Sequence, residues 1–267
     1  MQILSRVPLT YTFKLFSERK DVLVFVTTRL GGSSQNHLAS CNIGFNMEES
    51  AEITVANRRN ICNALGIDFE KTTFQQQVHE DYISIVDLKN AGSGLLQKEN
   101  ALPHSDAMIT TEKNITIFAQ AADCVPIAIY DTKQKVAAVV HAGWRGTVKK
   151  IAQKTAIKMI QEFNCSPNSM LVGIGPSIGR CCYEVGPDVI DSINQNFADT
   201  SKIIQQQGSS VHLDLWEANK CQLIEIEIPE SNIEIAQECT KCNAHLYYSS
   251  RNDNGRTGRF GIGITLL

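Results

Sequence analysis

The stretch VAAVVHAGWRGT, residues 136–147, is apolar from Val136 to Val140 and then changes character within three residues. A short run with no polar alternation predicts a strand covered on both faces. The strand ends at His141. Gly143 and Gly146 supply a turn, and Thr147 suits the N-cap of a helix running to Phe163. Val148, Ile151, Ala152, Thr155 and Met159 fall on one side of that helix.

Upstream, residues 107–111, 115–119 and 125–130 read as short strands, and residues 170–174 as another downstream. Residues 22–28 form a strand entering a turn at Gly31-Gly32. Residues 48–65 carry Ile53, Ala56, Ile61, Ala64 and Leu65 on one helical face, with Gly66 as a stop. Residues 82–88 are apolar and β-rich, and residues 90–104 form a loop. Residues 187–197 and 215–224 are helical, residues 233–236 extended, and the weakly alternating tail, 259–267, a strand. Strands and helices intermingle without a βαβ rhythm. The expected class is therefore α+β, a mixed α/β single domain over residues 1–267, and not a doubly wound sheet.

A net charge of -3 gives no reason to expect nucleic acid or an anionic membrane as partner. No apolar run approaches bilayer length. The N-terminal MQILSRVPLTYTFKLF lacks a signal pattern, so a cytoplasmic location is expected. The nine cysteines are odd in number, and in a reducing compartment Cys41, Cys62, Cys165 and Cys221 are expected as free thiols.

His79, Cys124 and His141 each lie at a strand end or turn, where side chains from separate segments can converge. Two imidazoles and a thiolate suit zinc and leave a fourth position open. Spacing alone favours the plainer reading of two hydrogen-bonded histidines and a buried thiol. In HAGWRGT (141–147), Arg145 and a helix N-terminus together offer an anion site, and an ordinary strand-to-helix turn with Arg145 facing solvent fits the same residues. In GIGPSIGRCCYEVGP (173–187), the glycines permit close backbone approach and Cys181-Cys182 suggest packing rather than redox chemistry. Cys239-Thr-Lys-Cys242 is half of a zinc knuckle, whose other half is missing unless Cys181 and Cys182 supply it; a structural or incidental role is expected. Arg251, Arg256 and Arg259 cluster between glycines in the tail, where an anion site is one reading and a solvated loop the default.

TTRLGGSS (27–34), QQVH (76–79), SDAMIT (105–110), ADCVPI (122–127), HAGWRG (141–146), GPSIGRCCYEVG (175–186) and YSSRNDNGRTGR (248–259) occur in this order along nearly the whole chain. The pattern resembles the YfiH-like, laccase-domain family. Members have been labelled multicopper polyphenol oxidases, and are also described as purine nucleoside phosphorylases with adenosine deaminase and methylthioadenosine phosphorylase activity. The resemblance implies a sandwich of mixed β-sheets flanked by helices, with zinc (or copper) bound by His79, Cys124 and His141. It implies a site arginine in the helix before QQVH, where Arg58 and Arg59 both stand; Arg58 is the choice. It also implies a purine nucleoside and phosphate as the small-molecule partners. The family's usual Leu-Asn-Leu-Gly-like stretch reads Cys41-Asn42-Ile43-Gly44 here, with Asn42 and Gly44 kept.

On this reading Arg58, Arg145 and Asn42 contact substrate or phosphate, His79 and Cys124 shape the catalytic site, and Asp123 is a general base or a support for the metal ligands. Three rivals stand beside it. A laccase needs a blue-copper centre plus a histidine-rich cluster, for which six histidines are too few. A cysteine-dependent amidase or peptidoglycan-editing hydrolase would use Cys124 as nucleophile. A non-enzymatic zinc-stabilised interaction module needs a fourth ligand and no pocket.

Overall fold

The computed structural model describes residues 1–267. The strand read from VAAVVHA sits inside a six-stranded sheet. Its strand order is β13 (Ile233–Ile235), β10 (Met170–Ile174), β8 (Val125–Asp131), β9 (Val136–Ala142), β6 (Ala107–Thr110) and β5 (Ile83–Val86). β9 pairs antiparallel with both neighbours, Ala138 opposite Ile129 on one side and Ile109 on the other. A second six-stranded sheet has the order β1 (Gln2–Arg6), β2 (Leu9–Thr12), β3 (Val22–Thr27), β14 (Phe260–Leu266), β7 (Thr116–Ala121) and β4 (Thr72–Phe74).

Side-chain alternation explains how the sheets stack. Along β9, Val136, Ala138, Val140 and Ala142 turn to one core, while Ala137 and Val139 turn to another. The second core is the space between the sheets. There Met108, Ala128, Tyr130, Ala137 and Val139 meet Val24, Val26, Ile117, Ala119, Ile262 and Ile264. The first core lies beneath α4 (Ile151–Phe163), α5 (Pro187–Asn196) and α6 (Leu215–Ile224), through Ala152, Met159, Ile193 and Leu223 among others. A third, smaller core joins Phe25, Phe74 and Phe118 on the outer face of the second sheet to Ile61 and Cys62 of α2 (Ala51–Leu65). The fold is thus helix on sheet on sheet on helix, a mixed α/β sandwich. No helix is long and apolar enough to cross a membrane.

Most expected elements lie within one to three residues of their predicted bounds. Ser50 caps α2 by accepting from the Glu52 N–H, and Gly66 ends it in the left-handed conformation. The helix expected from Thr147 to Phe163 is instead two. A short α3 (Trp144–Val148) begins at Gly143, and the chain breaks at Lys150, whose φ is 61°. Thr147 is therefore not a cap but a buried helix residue, its hydroxyl accepting from Asn219 Nδ2 at 3.0 Å. Five strands escaped the sequence reading, β1, β2, β4 and the hairpin of β11 (Ile204–Gln207) and β12 (Ser210–Leu213), as did a single helical turn, α1 (Lys14–Ser17). The hairpin's two-residue Gly208-Ser209 connection is a turn signal, but β11 is Gln-rich and largely exposed with no apolar alternation, and β12 alternates over only four residues.

The tail alternates weakly because two of the three positions between its apolar residues, 261 and 263, are glycine. β14 points Phe260, Ile262 and Ile264 between the sheets and lays Gly261 and Gly263 against aromatic rings. A Cβ on Gly263 would stand 2.3 Å from Cζ of Phe25. Gly263→Ala is expected to destabilise by about 1–3 kcal/mol through overpacking. Gly208→Ala, which meets no neighbour within 4 Å but has a φ of +62°, serves as the surface control. Urea unfolding of both variants checks this: a Gly263→Ala protein no less stable than the control contradicts the packing described.

Candidate metal centre and cleft

Three strands of the first sheet end side by side and deliver the site. His141 is the penultimate residue of β9, Cys124 immediately precedes β8, and Asp106 immediately precedes β6. Pairing of Val125 with Ala142 and of Ala107 with Val140 sets all three at one sheet end. His79 arrives from the loop after β4. Ligand atoms of His79, Cys124 and His141 lie within 4.8 Å of one another. Cys124 Sγ is 3.8 Å from His79 Nε2, and the two imidazoles meet edge to face with centroids 4.9 Å apart. His141 is buried, Cys124 half-buried and His79 exposed, so the trio opens to solvent on one side. A Cβ at position 143 would come within 3.0 Å of the Cys124 sulfur and 3.1 Å of the His79 ring. The first glycine of HAGWRG is there to make room.

Asp106 organises this geometry. Its carboxylate is fully buried and accepts from three consecutive backbone N–H groups, Val78 at 3.1 Å, His79 at 3.1 Å and Glu80 at 2.9 Å. It also lies 2.8 Å from His141 Nδ1, which leaves Nε2 free to face Cys124 and His79. Burial raises the Asp106 carboxyl, but His141 and the backbone N–H groups more than offset it and bring it below its usual range. Burial likewise pushes the Cys124 thiol up, yet the adjacent His141 and His79 imidazoles bring it down to about 6. Burial lowers His141, and Cys124 and Asp106 raise it to about 9. A thiolate beside a carboxylate-oriented histidine is the donor chemistry of a borderline-soft metal site.

The trio forms one end of a cleft of about 660 Å³. Arg58 lines it, 2% exposed. Its Nε donates to the Ile43 carbonyl at 2.9 Å, and Nη1 to those of Gly94 and Leu95 at 2.6 and 2.7 Å. Its guanidinium stacks 3.7 Å from the centroid of Phe74. Burial lowers its pKa to about 9, with no carboxylate bonded to it. Arg59 instead points outward to Glu70 at 3.6 Å.

Asn42 also lines the cleft, but it is fully buried and spent on local structure. It accepts from the N–H groups of Gly44 and Arg259 and donates to the Gly44 carbonyl and Glu49. Asp123 lines the cleft next to Cys124, held by the Thr240 hydroxyl and the Arg251 N–H, both at 2.6 Å. Arg145 is not on the cleft wall. It is exposed on α3 and stacks over Trp144, 4.3 Å from the ring centroid, because the helix begins three residues earlier than expected.

Sequence reading missed Asp106 and set Arg259 aside in favour of a solvated loop. Asp106 sits in SDAMIT, where an aspartate before a strand looks like a turn residue. Arg259 reads as part of a solvated tail loop, but it is partly buried on the cleft wall, with Nη1 donating to the carbonyls of Thr257 and Gly258. Of its tail neighbours, Arg251 also lines the cleft, while Arg256 pairs with Glu48 at 2.6 Å. Gln75 is a second omission. It is 6% exposed on the same wall, with neither end of its amide bonded within the protein.

This arrangement has relatives. The chain is 33% identical over 257 residues to a purine nucleoside phosphorylase of Bacteroides thetaiotaomicron, covering 95% of each chain. It is 29% identical to the adenosine deaminase RL5 of an unknown prokaryotic organism, covering 92% of this chain and 94% of that one. The crystal structure of YlmD from Geobacillus stearothermophilus superposes with a TM-score of 0.91 at 32% identity, covering 97% of this chain and 95% of that one. Residues 23–267 match the family model described as multi-copper polyphenol oxidoreductase laccase, and the chain belongs to that family.

Proposed function

We propose that this protein is a zinc-containing purine nucleoside phosphorylase. It cleaves adenosine, inosine and methylthioadenosine with phosphate to the free base and the (methylthio)ribose 1-phosphate, and deaminates adenosine as a side activity. The observation that carries this reading is Arg58. A buried guanidinium with no carboxylate partner is costly unless an anion arrives to pair with it, and this one faces a cleft large enough for a nucleoside. Relatives named purine nucleoside phosphorylase and adenosine deaminase support the substrate class.

In phosphorolysis a phosphate oxygen bonds to C1′ while the C1′–N9 bond breaks, and the purine leaves with the electron pair and takes up a proton. Positioning and electrostatics supply most of the acceleration. Arg58 and Arg259 hold the phosphate and offset its charge. Gln75 offers an unspent donor and acceptor to the sugar or base. Asn42 supports this wall from behind by fixing the Gly44 turn and the backbone of Arg259. Asp123 fixes the loop next to Cys124. His79, Cys124 and His141 fit zinc as three ligands with the fourth position open to the cleft. When bound there, zinc supplies a Lewis-acid centre that polarises a substrate donor. A multicopper oxidase would need a histidine-rich cluster, and only two histidines meet here; the chain's other cysteine cluster contains none.

Adenosine is expected to yield adenine and ribose 1-phosphate only when phosphate is present. Arg58→Lys, which keeps the charge but loses the planar fork, should raise the KM for phosphate roughly tenfold or more. Chromatography of products with and without phosphate decides it: equally fast release of adenine in phosphate-free buffer would make the protein a hydrolase and defeat the proposal. Asp106→Asn should weaken zinc binding by about 10–100-fold while far-UV circular dichroism stays the same. Chelator competition measures this, and unchanged affinity would remove Asp106 from its orienting role.

A further inference from the structure

Cys181, Cys182, Cys239 and Cys242 were expected to pack incidentally, the CxxC pair lacking a matching half. The fold supplies that half. All four sulfurs lie within 4.8 Å of one another, on the far side of Asp123 from the His79–Cys124–His141 trio in the chain's hydrogen-bond network. Cys242 Sγ is 3.6 Å from Cys181 Sγ and 3.5 Å from Cys182 Sγ. A disulfide holds its sulfurs at about 2.05 Å, and none of the four is so bonded. A regular tetrahedron of thiolates with Zn–S bonds of about 2.3 Å has edges of about 3.8 Å. The observed spacing is that of ligands around a common centre.

The backbone is shaped for the same end. Ser177 and Cys239 form a parallel bridge: the Ser177 N–H donates to the Glu238 carbonyl, and the Thr240 N–H to the Ser177 carbonyl. Each cysteine pair sits in a tight turn, with Cys182 N–H donating to the Gly179 carbonyl at 2.9 Å and Asn243 N–H to the Cys239 carbonyl at 2.9 Å. Cys239 is buried, while Cys181 and Cys242 are exposed, so an ion can reach the cluster.

We propose that these four cysteines are a second, structural metal site that binds one zinc ion as a closed tetrathiolate. Closed four-sulfur coordination leaves no position for substrate, so the ion's role is to brace. It clamps a loop on the cleft wall to a second loop that lies behind that wall. The first carries Ile178 and Tyr183. The second carries Thr240, whose hydroxyl holds Asp123 beside Cys124. Ile178 N–H also donates to the Asp123 carbonyl at 2.9 Å. Loss of the ion frees both loops at once.

The test is metal content of the full chain purified under reducing conditions, by native mass spectrometry and elemental analysis. Wild type is expected to carry two zinc ions, Cys124→Ala one, and Cys242→Ser one. Cobalt loaded into Cys124→Ala reads the second site alone, whether or not Cys242→Ser folds, and should give the strong thiolate charge-transfer absorption of a tetrahedral sulfur site. Cys124→Ala holding no zinc, Cys242→Ser holding as much zinc as wild type, or cobalt-loaded Cys124→Ala without thiolate bands would each overturn the proposal, whereas wild type with a single zinc that Cys124→Ala keeps and Cys242→Ser loses would count against the trio's zinc and not against this site. Metal-free wild type lighter by the two hydrogens of a disulfide among these cysteines would also overturn the proposal.

Discussion

A single buried carboxylate, Asp106, fixes the geometry on which the site depends. It gathers three successive N–H groups of the 78–80 segment and the Nδ1 of His141. Hydrogen bonds to a charged group contribute about 1.5–3 kcal/mol each, enough to hold His79 at a φ of 62°, a conformation that costs a non-glycine residue about 1–3 kcal/mol. The same atoms that constrain the His79 backbone also turn the His141 ring. One side chain therefore sets two of the three ligands, and strand pairing sets the third, Cys124, against Gly143. Removing the charge would loosen both histidines together.

The four-layer stack explains why this end of the first sheet can be so exact. β9 has covered neighbours on both faces and antiparallel partners on both edges, so His141 projects from the most confined strand of the molecule. The opposite wall of the cleft is built differently. Arg58 comes from α2, Arg259 from the entry to β14 and Gln75 from the loop after β4. Arg259 and two of the three candidate metal ligands, Cys124 and His141, thus belong to different sheets, while His79 shares the loop after β4 with Gln75, and face-to-face packing in the central core sets the distance between the two sides.

How much of this was legible in the sequence follows from what each residue depends on. β9, β8, β10 and α6 were readable because apolar runs and periodicity are local. His79, Cys124 and His141 were named from motifs, since nothing in their spacing shows that three separate loops converge. Asp106 was missed because an aspartate satisfied by distant backbone looks like any turn residue. Arg145 was misplaced by a three-residue error in a helix start: with the helix beginning after Gly143 rather than at Thr147, its side chain stacks on Trp144. The four-cysteine cluster was half seen. Neither CC nor CxxC is informative alone, and only the Ser177–Cys239 bridge shows that they meet.

β14 occupies the middle of its sheet, between β3 and β7, although it follows both by a long stretch of chain. Strands that are neighbours in space but distant in sequence close large loops before any contact rewards them, which slows folding. While β14 is still being synthesised, β3 and β7 each present an unpaired edge with apolar side chains on it, the arrangement most prone to pairing with another chain. The second sheet therefore assembles late, around its last strand. Arg259, which leads into that strand, reaches the cleft only when the sheet closes, so a chain caught short of this step has most of its candidate metal ligands in place but a cleft wall without that cation.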